Sequence, residues 1–428
     1  MPTRVMRLRL YLAIVASLLA ACSTRRPAAL RPPRFHPPFI ITFWCGPPLS
    51  EFTDARAAEI AAAGFNFVGP PCEGGPNDSA ARGRLQEQAL DVAARHGLRL
   101  AVEDGRFGND APQQPGWEAQ LAQAVRAYRG HPGFGSYFVA DEPSAGEIAA
   151  VAAVVARLRE QDPTHLAYVN LLPDYVKLEN LGTTSYTDYT ERFIDTVQPQ
   201  LLSYDYYPFL EDADRPSFFD NLATIRSLAL RHHLPFMLIV QAMPHLHYRD
   251  PTESEIGWQI FHALAFGARG ISYFAYWTPV AVASADEMNF HYGLIENGKP
   301  TRHYFEAMRL NQKAAALAAQ LAPFESLGIA DSAGEIGGPF PIGPIVAIEG
   351  GQITAGLFTD TTGRIAALLV NRDYRYGATV RLRLRDAAAV PERFDVAAGH
   401  WAPLTDLSIT FAPGDAQLLR WGGAGAWP

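Results

Sequence analysis

Between residues 39 and about 280 the chain alternates two textures. Short runs of consecutive apolar residues occupy 39–45, 65–71, 98–106, 133–143, 166–173, 201–209, 235–243 and 270–279. Between them lie stretches such as "DARAAEIAAAG", "LQEQALDVAARHG" and "FFDNLATIRSLALRHH", whose apolar residues recur every three or four positions. Near-continuous apolar strands separated by amphipathic helices predict a parallel sheet covered by helices. Eight such units predict an α/β fold, a (β/α)8 TIM barrel over 39–325. A doubly wound open sheet would place a Gly-rich phosphate turn after its first strand, and none stands there. Ser144 with Glu147 and Thr252 with Glu255 have capping-box spacing, so both glutamates are read as helix starters. Gly64 and Gly97 fall where helix C-caps belong. A last helix over 301–324 closes the barrel. From 326 to 428, alternating segments such as "ITAGLFTDTTGRIAALLVNRD" predict a small antiparallel β-sandwich.

The first 38 residues read differently. Arg4, Arg7 and Arg9 precede an apolar run from Leu10 to Ala20 that is too short for a permanent span. Leu19-Ala20-Ala21-Cys22 resembles a lipoprotein box, so 1–22 is expected to be a signal peptide with Cys22 lipidated, and 23–38 a Pro-rich tether. Ser23 after the cysteine fits sorting to the outer membrane, with membrane contact through the lipid anchor alone. A formal charge of −8 argues against nucleic acid or an anionic membrane surface as the main partner. Cys45 and Cys72 each close one of the first two strands. A disulfide and two buried thiols both remain open.

In such a barrel the site forms at the C-terminal strand ends. Those ends carry Trp44, then Glu103 and Asp104, Asp141 and Glu142, Asn170, Tyr204 to Tyr207 with Asp205, Gln241 and His245, and finally Tyr276 and Trp277. Charged and aromatic groups converging on one rim suit a polar, ring-shaped substrate. Neighbouring strand residues point to opposite sides, so one of Asp141 and Glu142 faces the axis unless the strand end twists. A carboxyl shielded there stays protonated and can act as a general acid. Asp205 shares a face with Ser203 and Tyr207, opposite the more apolar face of Leu202, Tyr204 and Tyr206, and so is expected to point inward. His245 and His247 have metal-ligand spacing without a third ligand, so no metal and no cofactor are expected. There is no Gly-x-Ser-x-Gly elbow, and Cys45 lacks an evident base.

The stretches "FVADEPS", "SYDYYPF", "YFAYWTP" and "GLIENGKPTRHYFEAMRLNQ" resemble TIM-barrel glycoside hydrolases of the clan A kind, in a branch labelled β-galactosidase- or agarase-like. The resemblance covers most of 39–428 and implies a carbohydrate substrate. It also implies that Glu142 is the acid/base and Trp277 the floor of the −1 sugar site. One position departs from the family: its strand-seven nucleophilic glutamate is Gln241 here. Three explanations stay open: Asp205 as second carboxylate, attack by an acetamido group of the substrate, or a barrel that only binds glycans. The expected site thus has Glu142 and Asp205 as catalytic pair. Asp141 and Gln241 would orient hydroxyls, and Trp44, Tyr207, Tyr276 and Trp277 would hold the ring. Glu103, Asn170, Tyr204 and His245 would make further substrate contacts.

Overall fold

A computed structural model of the chain describes residues 39–72, 80–279 and 288–422. The signal peptide, Cys22 and the tether lie outside the described residues. Eight parallel strands, β1 (Ile40–Phe43), β2 (Phe67–Val68), β3 (Arg99–Glu103), β4 (Phe134–Asp141), β5 (Leu166–Leu171), β6 (Leu202–Tyr206), β7 (Phe236–Gln241) and β8 (Gly270–Phe274), form one sheet. β1 pairs with β8, and each later strand pairs with its predecessor. The ring closes between β1 and β2 by a looser seam. There Asn66 N–H donates to the Ile41 carbonyl (3.1 Å), its side-chain oxygen accepts from Ile41 N–H (2.9 Å), and Gly46 N–H donates to the Pro70 carbonyl (2.8 Å). The approach is close enough that a Cβ on Gly69 would lie 1.8 Å from the Phe43 oxygen. A Cys45–Cys72 disulfide staples the same seam just beyond both strands. The (β/α)8 barrel is therefore the fold.

Apart from bulges in β4, the strands alternate as a two-residue period requires. Ile40, Leu166, Tyr168, Leu201 and Met237 fill the barrel interior, with Trp44, Phe67 and Phe138 packed on them. Ile41, Val102, Val169, Leu202, Tyr204, Leu238 and Ile271 face the helices. Those are α1 (Asp54–Ala62), α2 (Ala80–Arg95), α3 (Trp117–Tyr128), α4 (Ile148–Gln161), α5 (Leu178–Leu181), α6 (Tyr186–Val197), α7 (Phe218–His232) and α8 (Glu253–Ala265). A hairpin of β9 (Ile295–Glu296) and β10 (Lys299–Pro300) leads into α9 (Arg302–Leu321). The strands stop short of several expected C-terminal ends, β8 by five residues, because the chain leaves the hydrogen-bond ladder to build the rim loops. Thr252 and Glu255 form the complete capping box of α8. The expected start at Ser144 is corrected. The Ser144 hydroxyl and N–H both donate to the Glu147 carboxylate (2.8 Å each), which folds a turn, and α4 begins only at Ile148.

The C-terminal region is a β-sandwich. Its larger sheet runs β11 (Glu325–Asp331), β13 (Ile353–Thr359), β14 (Ile365–Asn371), β19 (Ala416–Trp421), β16 (Glu392–Asp395), β17 (His400–Pro403). β12 (Ile345–Glu349), β15 (Ala378–Leu384) and β18 (Ser408–Phe411) form the smaller one. The central strands of the larger sheet are buried on both faces. Leu357, Leu369 and Leu419 meet the small sheet, while Phe358, Leu368 and Leu418 join the barrel core. The contact with α8 is so tight that a Cβ on Gly356 would stand 2.1 Å from the Ala265 carbonyl oxygen.

The disulfide spans 27 residues, so chain-entropy arguments give it about 3.5 kcal/mol. Replacing Cys45 and Cys72 together by Ser is expected to lower unfolding stability by about 2–4 kcal/mol in urea titrations. An unchanged midpoint would contradict the seam assignment.

Candidate active site

Three rim carboxyls come together where β4, β5 and β6 end. Register decides this. β4 carries a bulge between Phe138 and Ala140 against β5. Phe138 packs on the barrel-interior cluster, Val139 and Ala140 both join the helix-facing core, and Asp141 is thereby turned inward at the next position. Glu142 follows with φ +48, in the left-handed region a non-glycine residue seldom takes. That twist brings its side chain back to the same side, where it hydrogen-bonds the Asp205 carboxyl. Asp205 reaches the rim by simple alternation along β6 and is 3% exposed.

Asn170 sits between them on β5. Its side-chain nitrogen donates to Asp141 Oδ1 (3.2 Å) and Asp205 Oδ1 (3.1 Å), and its carbonyl accepts from Glu142 N–H (2.8 Å). Its side-chain oxygen accepts from Ser203 Oγ (3.2 Å), which lies 2.9 Å from the Tyr168 hydroxyl. Ser203 and Tyr168 escaped the sequence reading as site residues. The signal was there, since each lies two residues before a named rim residue on the same strand face.

Asp141 and Glu142 are exposed to solvent at the rim, yet protein atoms crowd both carboxyls. That enclosure, with the charge of Glu142 and hydrogen bonding from Asn170 partly opposing, pushes the Asp141 carboxyl up to about 7. Desolvation and the facing Asp205 raise Glu142 well above the carboxylate range. Asp205 is raised too, to about 7, by burial and the charge of Asp141, with hydrogen bonds from Glu142 and Asn170 opposing only part of the rise. Glu142 is accordingly the proton donor of the pair and Asp205 the acceptor.

Aromatic rings wall the cleft. Tyr207 packs 5.3 Å from His245, 5.5 Å from Tyr248 and 5.3 Å from Phe274, centroid to centroid. Burial and the negative charges of Asp205, Glu142 and Asp141 push its hydroxyl far up. Trp44 lies 5.3 Å from Phe138. His245 is buried, bonded to the Met243 carbonyl and pushed down to about 4 by desolvation, so it is a neutral wall residue. Glu103, held by Arg82, acts electrostatically on Asp141.

Four expected contacts lie elsewhere. Gln241 is fully buried and its amide is consumed by backbone: it accepts from Phe209 N–H and donates to the Phe209 and Arg249 carbonyls, tying two rim loops together. Tyr204 is on the helix-facing side of β6. Tyr276 is fully buried outside the barrel, stacked on Phe43 (4.2 Å) and bonded to Glu59. Trp277 lies against Arg56 (5.1 Å). The common cause for the last two is that β8 ends at Phe274, so strand alternation does not carry on to 276 and 277. Phe274 is the ring β8 turns toward Tyr207.

No protein-family model matches the chain. No curated protein matches it in sequence. Solved structures do match in fold. A GH42 β-galactosidase from G. stearothermophilus superimposes with a TM-score of 0.61 at 9% identity, over 90% of this chain and 98% of that one. A protein described as a glycoside hydrolase gives 0.55 at 13%, over 91% and 94%. A β-galactosidase from the psychrophilic Marinomonas ef1 gives 0.51 at 12%, over 68% of this chain, which spans 63% of that enzyme. The structural neighbours are glycoside hydrolases. At these identities the likeness is one of fold, and the chemistry rests on the carboxyl geometry.

A raised folded-state pKa means that the protonated carboxyl favours the fold. This contribution is full below the unfolded value near 4 and is lost as pH rises through about 7. Asp141→Asn removes that loss while keeping an acceptor for Asn170. Its Tm is expected to exceed that of the native chain at pH 8 and to match it at pH 4 in paired thermal melts.

Proposed function

We propose that the protein is a glycoside hydrolase that cleaves O-glycosidic bonds in an oligo- or polysaccharide. The observation that carries this reading is the convergence of Glu142 and Asp205 around Asn170 at the strand ends, beside a wall of aromatic rings, an arrangement that raises the Glu142 carboxyl. A neutral carboxylic acid at neutral pH is what protonation of a departing glycosidic oxygen requires, and an adjacent carboxylate stabilises the positive charge that grows at the sugar. In this reading Glu142 turns from Asp205 to the leaving oxygen when the sugar enters. Trp44, Tyr207 and Phe274 offer ring faces to it. The glycosidase neighbours support a carbohydrate substrate.

The chain is further proposed to be exported and held at the outer membrane through lipidated Cys22. The lipoprotein box supports this, and the Cys45–Cys72 bridge suits an oxidising compartment. A second reading, a non-catalytic glycan binder, draws on the strand-seven position, where Gln241 is locked into backbone bonds.

Glu142→Gln separates the two. Turnover of a responsive glycan, found by reducing-sugar release from a broad panel, is expected to fall by about 10²–10⁴-fold with affinity retained. Native binding without turnover on every glycan would favour the binder. For the enzyme, both limbs of the pH–rate profile are expected above the usual carboxylate value of about 4, because Asp205 must ionise and Glu142 must stay protonated. An optimum near pH 4 would contradict the assignment.

A further inference from the structure

An asparagine amide has an accepting end and a donating end, and its rotation decides which one a neighbour meets. For Asn170 the choice has consequences. With nitrogen toward Asp205 it stabilises a carboxylate there. With oxygen toward Asp205 it would repel that charge and drive the proton onto Asp205. What selects between them lies one layer deeper in the barrel. Tyr168 and Asn170 share the inward face of β5, Ser203 and Asp205 the inward face of β6, and Asn170 is the register partner of Ser203. Tyr168, Ser203, Asn170 and Asp205 therefore stack as a ladder of bonds of 2.9, 3.2 and 3.1 Å. A serine hydroxyl has one proton. If the Tyr168 phenol donates to Ser203, the serine proton is left for the Asn170 oxygen, and the amide nitrogen is turned to the acids.

We infer that Ser203 and Tyr168 are positioning residues, a buried hydroxyl relay that locks the Asn170 amide nitrogen toward Asp205 and so fixes Asp205 as the anionic and Glu142 as the protonated member of the pair. The relay is sealed: Ser203 is fully buried and Tyr168 is 7% exposed. In a low-dielectric interior such chains strengthen one another. The groups that interact with Asp205 are Asp141 and Glu142 at the end of β4, Tyr168 from β5, Tyr175, Tyr186 and Tyr189 beyond it, and Tyr204 and Tyr207 from its own strand and strand end. Glu103 acts on Asp141, and His245 is neutral. The phenols are all held far up by burial.

The inference rests on the glycosidase reading for its purpose, but its test does not. Aspartate side-chain carboxyls of the full-length protein are followed by ¹³C NMR across pH, with Asp205 assigned by Asp205→Asn. Asn170→Ala is expected to raise the Asp205 midpoint by about one unit or more. Ser203→Ala should move it in the same direction by less, Tyr168→Phe by less again, and Ser203→Thr, which keeps the hydroxyl, should restore the native midpoint. A folded Ser203→Ala with an unmoved midpoint overturns the relay. If that variant does not fold, Tyr168→Phe decides by the same criterion. Shifted midpoints with no glycan hydrolysed would defeat the glycosidase reading alone, whereas hydrolysis with unmoved midpoints would defeat the relay alone.

Discussion

Two carboxyl groups paired at a crowded barrel rim resist being ionised together at neutral pH, because mutual repulsion and lost hydration act on the same charge. That constraint organises the rim of this barrel. It leaves one proton for Glu142 and Asp205 to divide, and makes every neighbour that favours one form over the other part of the chemistry. Asn170 favours the anion on Asp205, while the inward-turned Asp141 and more distant Glu103 add negative charge that discourages further ionisation. Two backbone irregularities, the β4 bulge and the left-handed Glu142, deliver both acids of one strand end to the same side. Regular pleating would have sent them apart.

The rest of the molecule holds that rim still. Gln241 commits both amide donors and its oxygen to two loops, and Arg249 ties the same loops to Glu255 at the start of α8 and to Tyr374 of the sandwich. Gln241 is thus a brace between loops. The seam between β1 and β2, the one junction without a regular ladder, is held instead by an asparagine side chain and a disulfide.

The fold was legible because period-two and period-3.6 patterns are set by burial, and the barrel buries its strands on both faces. Asp205 was legible for the same reason: Leu202, Tyr204 and Tyr206 marked the outer face of β6, leaving Asp205 within. What alternation cannot see is where it stops. The bulge that turned Asp141, the twist at Glu142 and the exit of the chain after Phe274 are backbone events decided by tertiary contacts, so the inward aim of two acids and the displacement of Tyr276 and Trp277 had no signature in residue type. Gln241 misled differently. Its polarity at a strand end fitted a ligand contact, but the backbone of Phe209 and Arg249 had already claimed it.

The glycine at 356 carries a last implication. Where a sheet rests on a helix with no room for a methyl group, the two layers have been fitted to each other, and neither surface is finished without its neighbour. β14 presents apolar side chains in both directions, like a wall shared by two houses. Loss of either the barrel or the sandwich would therefore leave an oily flank bare on the other.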